Sequence, residues 1–323
     1  PAGEVIGHLL GFTNIDDDGQ EGLELAFDHK LAGKSGSKKV LKDRLGRTVE
    51  DVESVQAPVL GQNVVTSIDL RMQYFAYRAL QSAVNEHRAK SGSAVVIDVN
   101  TGEVLAMVNQ PSYNPNNRSS FSASHYRNRA ITDILEPGSA LKPLIIAAAL
   151  ESGKYRENSY IETSPGYVKI GAKKINDKRN FGRINLQTVL QKSSNVGVTK
   201  IAMSMDPEYL WGVLKRFGLG QSTASGFPGE SAGLLNHYAN WRDISQATMA
   251  YGYGLSVTPL QLAQAYAVLG AKGLQYPVSL LKIEQDPIAR RIVKPDTADS
   301  ILSMMESVVQ VGGTGTQAAV EGY

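Results

Sequence analysis

Ser139 and Lys142 are spaced so that together they could form a nucleophilic site. They lie in the string EPGSALKP, at the start of an apolar run that ends at Leu150. On a helix this spacing brings both side chains to one face, where a lysine kept neutral by burial could serve as the base that a serine hydroxyl needs. A helix N-terminus also favours developing negative charge through its free N–H groups. Because the pattern is short, a serine at a helix start beside a solvated lysine is the simpler alternative.

A second pair of polar residues follows in the string KSSNVG. Ser193 and Asn195 fall in a predicted break between helical stretches. The hydroxyl could relay a proton, and the amide could bind a peptide group of a substrate. Ser-Ser-Asn is also common in loops. Taken in order, however, S-x-x-K followed by S-x-N matches the pattern of penicillin-binding proteins and class A β-lactamases.

Four helices are predicted around these motifs. Their starts are marked by an apolar period of three to four residues or by a polar cap, followed in two cases by proline. The predicted helices begin after Asp69, at Ser139, at Asp206-Pro207 and at Thr258-Pro259, and the last one ends near Gly273. The helix over 139–150 is apolar on nearly every side, so we expect it to be buried among other elements.

The strand pattern and the composition of the first residues predict a mixed α+β chain in two parts. Two β-rich runs, 94–99 and 103–108, flank Asn100-Thr101-Gly102, which indicates a hairpin at one edge of a sheet. Residues 1–62 are rich in Gly, Asp and Lys and are predicted to form a small irregular domain or a linker region. Residues 63–323 are expected to form the second, larger domain.

Composition excludes several classes of function. With 33 Lys and Arg against 31 Asp and Glu, the chain has a formal charge of +2 and no basic field to hold nucleic acid. It has no cysteine, which excludes disulfides, thiolate metal sites and a cysteine nucleophile.

No metal or cofactor is expected. The five histidines show no ligand spacing; they are His8, His29, His87, His125 and His237. Asp16-Asp17-Asp18 lacks the glycine and glutamate positions of an EF-hand loop, so we interpret it as a solvated acidic turn.

Longer strings along the whole chain resemble class B penicillin-binding proteins, specifically the septal peptidoglycan transpeptidases of cell division in Gram-negative bacteria. These strings are GFTNIDDDGQEGLELAFD, KDRLGRTVEDV, SGSAVVIDVNTGEVLAMVNQPSYNPNN, RNRAITDILEPGSALKP, LQKSSNVGVTKIA and YGYGLSVTPLQLAQAYA. The resemblance implies the penicillin-recognising serine transpeptidase fold, an antiparallel sheet flanked by helices, preceded by a non-catalytic pedestal.

The resemblance also implies a role for each candidate residue. Ser139 would attack the carbonyl between the two terminal D-alanines of a donor stem peptide, and Lys142 would take its proton. Ser193 would help to pass that proton to the leaving amine, and Asn195 would hold the donor's amide. Tyr253 and Gly254, in the YGYG string, would contact substrate at the cleft, although a packed turn before a helix explains that string as well.

The third motif of the family, K-[ST]-G, is missing from its expected place near the C-terminal end. Lys34-Ser35-Gly36 has the right letters but lies far upstream, where we expect an exposed polar turn. Thr314-Gly315-Thr316 lacks the lysine and is expected to be a flexible loop. The interpretation preferred here is that the K-[ST]-G strand lies outside the printed residues.

Two other functions are alternatives, and the first of them would use the same four residues. A β-lactamase or D,D-carboxypeptidase would pass the acyl group to water, and a scaffold or β-lactam sensor would bind division proteins without catalysis.

The resemblance implies stem peptides, β-lactams and division-machinery membrane proteins as partners. It also implies a periplasmic location, with an inner-membrane anchor helix preceding Pro1.

Overall fold

The structure is a computed structural model, and it describes residues 3–117 and 123–322. Residues 1, 2 and 323, at the ends of the two predicted domains, lie outside the described part. The α-helices are α1 Gly7–Leu10, α2 Gly22–Ala26, α3 Asp28–Leu31, α4 Leu70–Glu86, α5 Arg129–Thr132, α6 Lys142–Glu151, α7 Leu186–Gln191, α8 Asn195–Met203, α9 Pro207–Arg216, α10 Asp243–Met249, α11 Pro259–Gly270 and α12 Pro295–Val309. Short 3₁₀ helices cover Gly3–Val5, Ala123–His125, Gly138–Leu141, Tyr238–Asn240 and Thr316–Ala318.

The strands pair in antiparallel couples. They are β1 Phe12–Thr13, β2 Gly19–Glu21, β3 Ser37–Lys42, β4 Thr48–Gln56, β5 Gly92–Ile97, β6 Val104–Gln110, β7 Tyr160–Glu162, β8 Tyr167–Ile170, β9 Lys173–Asn176, β10 Arg183–Asn185, β11 Leu274–Gln275 and β12 Arg290–Arg291. The pairs are β1–β2, β3–β4, β5–β6, β7–β10, β8–β9 and β11–β12. This mixture of helices and antiparallel strands agrees with the α+β class expected from the sequence.

Side-chain caps fix the starts of three helices where the sequence places them. The carboxylate of Asp69 accepts from the second and third N–H groups of α4, and that of Asp206 does the same for α9. Thr258 and Gln261 form a reciprocal capping box at the start of α11. These caps confirm the predicted starts, although α11 ends at Gly270, slightly before the expected Gly273.

The predicted hairpin is present as β5–β6, with Ala94 opposite Val108. Helix α4 contacts both strands, and α11 contacts β5. The buried amide of Gln73 on α4 donates to the carbonyl of Met107 and accepts from its N–H, both at 2.8 Å. One side chain thereby ties α4 to β6 through two hydrogen bonds in the interior.

The helix predicted over 139–150 begins later than expected. Residues 138–141 form a 3₁₀ turn, and α6 starts at Lys142. Pro143 has no N–H to bond to the Ser139 carbonyl, so that carbonyl accepts from Lys142 instead, as a 3₁₀ bond. The burial prediction is confirmed, since residues 142–149 are all buried.

The N-terminal segment shares a core with the hairpin. Leu9 and Leu23 are buried in the same cluster as Val104 and Met107 of β6. Lys34 pairs as an antiparallel bridge with Val59, so the expected turn at Lys34-Ser35-Gly36 is instead an exposed extended segment leading into β3. No described helix is both long enough and apolar enough to span a bilayer.

Candidate active site

Ser139 lies on an exposed turn that a neighbouring loop holds in place. The N–H of Gly138 donates to the carbonyl of Gly252 at 3.1 Å. Gly252 has φ +87°, and a Cβ there would lie 1.9 Å from the carbonyl oxygen of Gly138. Only glycine can meet both conditions, so Gly252 is the residue that lets the loop close against the turn at 138–141. We call this turn the nucleophile turn after the role predicted for Ser139.

Lys142 is buried directly beneath this turn, with 1% of its surface exposed. Its Nζ donates to the carbonyl of Ser193 at 2.6 Å, to Ser193 Oγ at 2.9 Å and to Asn195 Oδ1 at 2.7 Å. Every N–H of the ammonium therefore has an acceptor. Lys142 is the first residue of the apolar helix α6, which places its amine below the cleft.

Ser193 connects the lysine to the serine. Its Oγ donates to Ser139 Oγ at 3.0 Å, while it accepts from Lys142. Ser193 has φ +54°, a left-handed conformation uncommon for residues other than glycine, and it sits in the predicted break, between α7 and α8. The path from Ser139 Oγ to Lys142 Nζ thus runs through the Ser193 hydroxyl.

Burial lowers the pKa of the Lys142 ammonium from 10.5 to about 8, and the nearby carboxylate of Asp177 opposes this shift. Desolvation disfavours the charged form of a lysine, which is why burial acts in this direction. At pH 7 a pKa of 8 leaves about one lysine in ten neutral. A neutral amine can accept the proton of a serine hydroxyl.

Asp177 fixes the start of α8 and was missed by sequence reasoning. One carboxylate oxygen accepts from the N–H groups of Asn195 and Val196, at 2.6 and 3.0 Å. The other accepts from Ser194 Oγ at 2.6 Å. Ser194 in turn caps the N–H of Gly197. Asp177 therefore holds the short segment that presents Ser193 and Asn195.

The YGYG string lies against the nucleophile turn. The N–H of Gly254 donates to the carboxylate of Glu136 at 2.9 Å, and the ring of Tyr253 is 50% exposed beside that of Tyr251. From below, the hydroxyl of Tyr266 donates to the carbonyl of Ala140 at 2.7 Å. Loop and helix together support the backbone on both sides of Ser139.

A cleft of about 420 Å³ opens over these residues. Its lining consists of Ser139, Asn176, Asp177, Lys178, Lys192, Ser193, Asn195 and Thr314. Thr314 belongs to the string expected to be a flexible loop; the described structure places it at the cleft, beside a 3₁₀ turn. The structure thus brings Ser139, Ser193 and Asn195 to one cleft with Lys142 beneath it, and Tyr253 and Gly254 to the adjoining loop.

Within residues 3–117 and 123–322, no group of three or more His, Asp or Glu side chains could hold a metal ion. His8 is buried, with Nε2 2.8 Å from the carbonyl oxygen of His125. Burial lowers the pKa of His8 to about 4. It is a structural side chain in the core.

Comparison with known proteins identifies the family. Residues 92–323 match the family described as penicillin binding protein transpeptidase domain. The chain belongs to this family. Residues 5–66 match the penicillin-binding protein dimerisation domain, and the two together make this a class B penicillin-binding protein.

Curated relatives support the assignment. The chain is 47% identical over 323 residues to the peptidoglycan D,D-transpeptidase FtsI of Escherichia coli K12, covering 100% of this chain and 54% of the relative. It is 43% identical over 325 residues to the probable peptidoglycan D,D-transpeptidase PenA of Neisseria meningitidis serogroup A, covering 100% and 56%. The chain thus spans about half the length of the curated relatives it matches.

Solved structures agree on the fold. The transpeptidase domain of Burkholderia pseudomallei penicillin-binding protein 3 is 44% identical with a TM-score of 0.74, covering 80% of this chain and 74% of that one. A structure described as a peptidoglycan glycosyltransferase from Burkholderia ambifaria has the same identity and TM-score, covering 80% and 78%. The penicillin-recognising fold expected from the sequence is therefore confirmed.

Proposed function

We propose that this chain is the transpeptidase unit of a septal peptidoglycan D,D-transpeptidase, which cross-links stem peptides through an acyl-enzyme on Ser139. The observation that carries the proposal is the hydrogen-bonded path from Ser139 Oγ through Ser193 Oγ to Lys142 Nζ. The names of the relatives support the same activity. In the proposed division, 1–62 is a pedestal and 63–323 is the transpeptidase domain.

In the first half-reaction Ser139 Oγ attacks the carbonyl carbon between the two terminal D-alanines of the donor. Its proton moves through Ser193 Oγ to neutral Lys142 Nζ. The C–N bond then breaks, and the same path returns the proton to the departing D-alanine amine. An ester on Ser139 remains.

In the second half-reaction the side-chain amine of another stem peptide attacks this ester and regenerates the Ser139 hydroxyl.

Asn195 already uses Oδ1 to accept from Lys142, so its Nδ2 group is the part that can donate to the donor's backbone carbonyl. Tyr253 and Gly254 flank the substrate from the adjoining loop. A β-lactam follows only the first half-reaction and leaves a persistent ester.

Partners and location follow from the same proposal. A septal enzyme would bind membrane proteins of the division machinery and act in the periplasm, held to the inner membrane by an anchor helix. The resemblance of the sequence strings to septal enzymes supports both statements.

Product analysis distinguishes this function from its two rivals. The full-length protein would be incubated with a D-Ala-D-Ala donor peptide and an amine acceptor peptide, and the products measured by mass spectrometry. We expect cross-linked dimer and free D-alanine in equal amounts, and neither product with Ser139→Ala. Free D-alanine without dimer would indicate a hydrolase, and no product at all would indicate a scaffold.

A further inference from the structure

One stretch beside the cleft carries a strong positive charge. Residues 163–200 contain eight Lys and Arg and a single acidic residue, Asp177, whereas the whole chain has a net charge of +2. Six of these basic side chains are exposed: Lys169, Lys173, Lys174, Lys178, Arg179 and Arg183. The rest of the chain is therefore net negative. A second basic run, residues 30–47, has seven Lys and Arg and one acid, but its strand β3 pairs with β4, which contributes Glu50, Asp51 and Glu53.

The β8–β9 hairpin arranges part of this charge on one face. Lys169 lies opposite Lys174, and Tyr167 lies opposite Asn176. Because side chains alternate along a strand, these four residues share a face, which we call the basic hairpin face. Asn176 also lines the cleft together with Lys178 and Ser139. The basic hairpin face thus leads directly to the nucleophile.

The placement of two lysines opposite each other destabilises the β8–β9 hairpin when no ligand is bound. Like charges directly opposite each other destabilise a strand pair, and Lys169 and Lys174 are such a pair. The Nζ of Lys174 is held 3.9 Å from the centre of the Tyr167 ring. A cation held over a ring keeps N–H groups that can still donate to an anion.

The acid of the segment does not neutralise this face. Both carboxylate oxygens of Asp177 are engaged by Ser194, Asn195 and Val196 at the start of α8. Arg179 and Arg183 resemble Lys174 in lying over aromatic rings, at 5.4 Å from Phe181 and 5.0 Å from Tyr160. Aromatic rings thus position three cations of this segment. Arg183 also lies opposite Glu162, whose carboxylate partly neutralises it, whereas the rings leave the charges of Lys174 and Arg179 in place.

We propose that the basic hairpin face and Lys178 bind the stem-peptide carboxylates of an uncross-linked peptidoglycan strand whose donor peptide enters the cleft. This rests on the proposed function and deepens it by assigning the surface that recognises the polymer beyond the scissile bond. Stem peptides repeated along a glycan make the strand a polyanion, and a patch of like charge attracts such a ligand and aligns it. Binding would also relieve the repulsion between Lys169 and Lys174.

The test compares two double variants that lose the same charge. Lys169→Gln with Lys174→Gln removes the charge of the basic hairpin face, and Lys30→Gln with Lys90→Gln removes two exposed lysines elsewhere. Binding of each full-length variant to soluble uncross-linked strands would be measured by fluorescence anisotropy at low and moderate salt. We expect the hairpin variant to bind roughly fivefold more weakly, the scale of two exposed ion pairs, and the control to match the wild type. Added salt should narrow the difference.

Two further measurements separate this proposal from the proposed function. Strands whose carboxylates are amidated should bind the wild type at least as weakly as unmodified strands bind the hairpin variant, because amidation also removes the partners of Lys178. Acylation of Ser139 by penicillin, which depends on the cleft alone, should be unchanged in the hairpin variant. Equal strand binding by wild type and hairpin variant, or undiminished binding of amidated strands, would overturn the proposal. Binding to acidic phospholipid vesicles in preference to strands would overturn it too. Failure of the wild type to be acylated would instead contradict the proposed function.

Discussion

At the scale of single residues, the site depends on hydrogen bonds among hydroxyl, amine, amide and carboxylate groups. Lys142 donates to Ser193 and Asn195, and Ser193 donates to Ser139. Asp177 holds Ser194 and Asn195 in position. Burial lowers the pKa of the Lys142 ammonium, so a larger fraction of the lysine is neutral at a given pH than in water. A general base is most effective when its pKa lies near the working pH.

The rate of acylation by penicillin should therefore rise with pH. Neutral Lys142 is the active form, so the second-order rate constant should increase about tenfold per unit below pH 8 and level off above it. An unshifted lysine would delay the plateau until about pH 10.5. Stopped-flow acylation measured between pH 6 and 10 distinguishes the two profiles, and a flat profile would contradict the role of Lys142 as base.

Asp177→Asn should alter both the plateau and the position of that profile. Loss of the charge weakens the hold on Asn195 and Ser194, so we expect the plateau rate to fall roughly tenfold, the scale of one lost charge-assisted hydrogen bond. Because Asp177 raises the pKa of Lys142, its loss should also shift the midpoint to lower pH. A purely structural effect would lower the rate without moving the midpoint.

The control for this prediction is Asp299→Asn. Its carboxylate is exposed on α12, away from the start of α8. Both the plateau and the midpoint of the acylation profile should equal those of the wild type.

At the scale of elements, the site depends on close backbone contact between the nucleophile turn and a neighbouring loop. The nucleophile turn at 138–141 precedes α6 and is bonded to the loop that contains Gly252. The hydroxyl of Tyr266 on α11 donates a hydrogen bond to the carbonyl of Ala140 in the same turn. These contacts make the position of Ser139 depend on three separate stretches of the chain.

Gly252→Ala should damage the site more than an equivalent change elsewhere. The added Cβ would meet the Gly138 carbonyl at 1.9 Å, so the loop must move away from the nucleophile turn. We expect at least a tenfold loss of penicillin acylation, with a strain of about 1–3 kcal/mol. Gly226→Ala is the matched control, since Gly226 also has positive φ (+76°) but open space around it. If both variants acylate equally, close packing at Gly252 is unimportant.

The extent to which sequence predicts this site follows from the range of each interaction. Ser139 and Lys142 are near neighbours on one turn, and the caps at Asp69 and Thr258 act within three residues, so local spacing reveals them. Asp177 and Gly252 act on partners that only the tertiary fold brings near. The YGYG string marks the loop of Gly252 but not the role of that glycine, and nothing in its immediate sequence marks Asp177. The late start of α6 has a local cause, since Pro143 removes the N–H that an α-helix beginning at Ser139 requires.

At the scale of the whole molecule, the N-terminal segment shares a buried cluster with the β5–β6 hairpin. Leu9 and Leu23 pack with β6, and the hydroxyl of Tyr113 donates to the carbonyl of Gly7 at 2.9 Å. Gln73 on α4 donates to the carbonyl of Val5 as well as to β6. These residues of the N-terminal segment therefore pack against the β5–β6 hairpin and the chain that follows it.

Leu9→Ala should destabilise the whole chain. A fully buried leucine replaced by alanine leaves a cavity, and we expect the free energy of unfolding to fall by about 2–5 kcal/mol. Since the cluster is shared, thermal unfolding should stay a single transition at a lower temperature. Ile15→Ala is the control, because Ile15 belongs to the same segment but is 96% exposed. A separate early transition that leaves Ser139 acylation intact would show that the segment folds independently.

The most direct test of the central claim is the site of covalent attachment of penicillin. The full-length protein would be incubated with penicillin, its intact mass measured, and the adduct mapped by digestion. We expect one adduct per chain, on the peptide containing Ser139, which persists for hours and is absent in Ser139→Ala. An adduct on another residue, or none on a folded wild-type protein, would contradict the assignment of Ser139 as nucleophile.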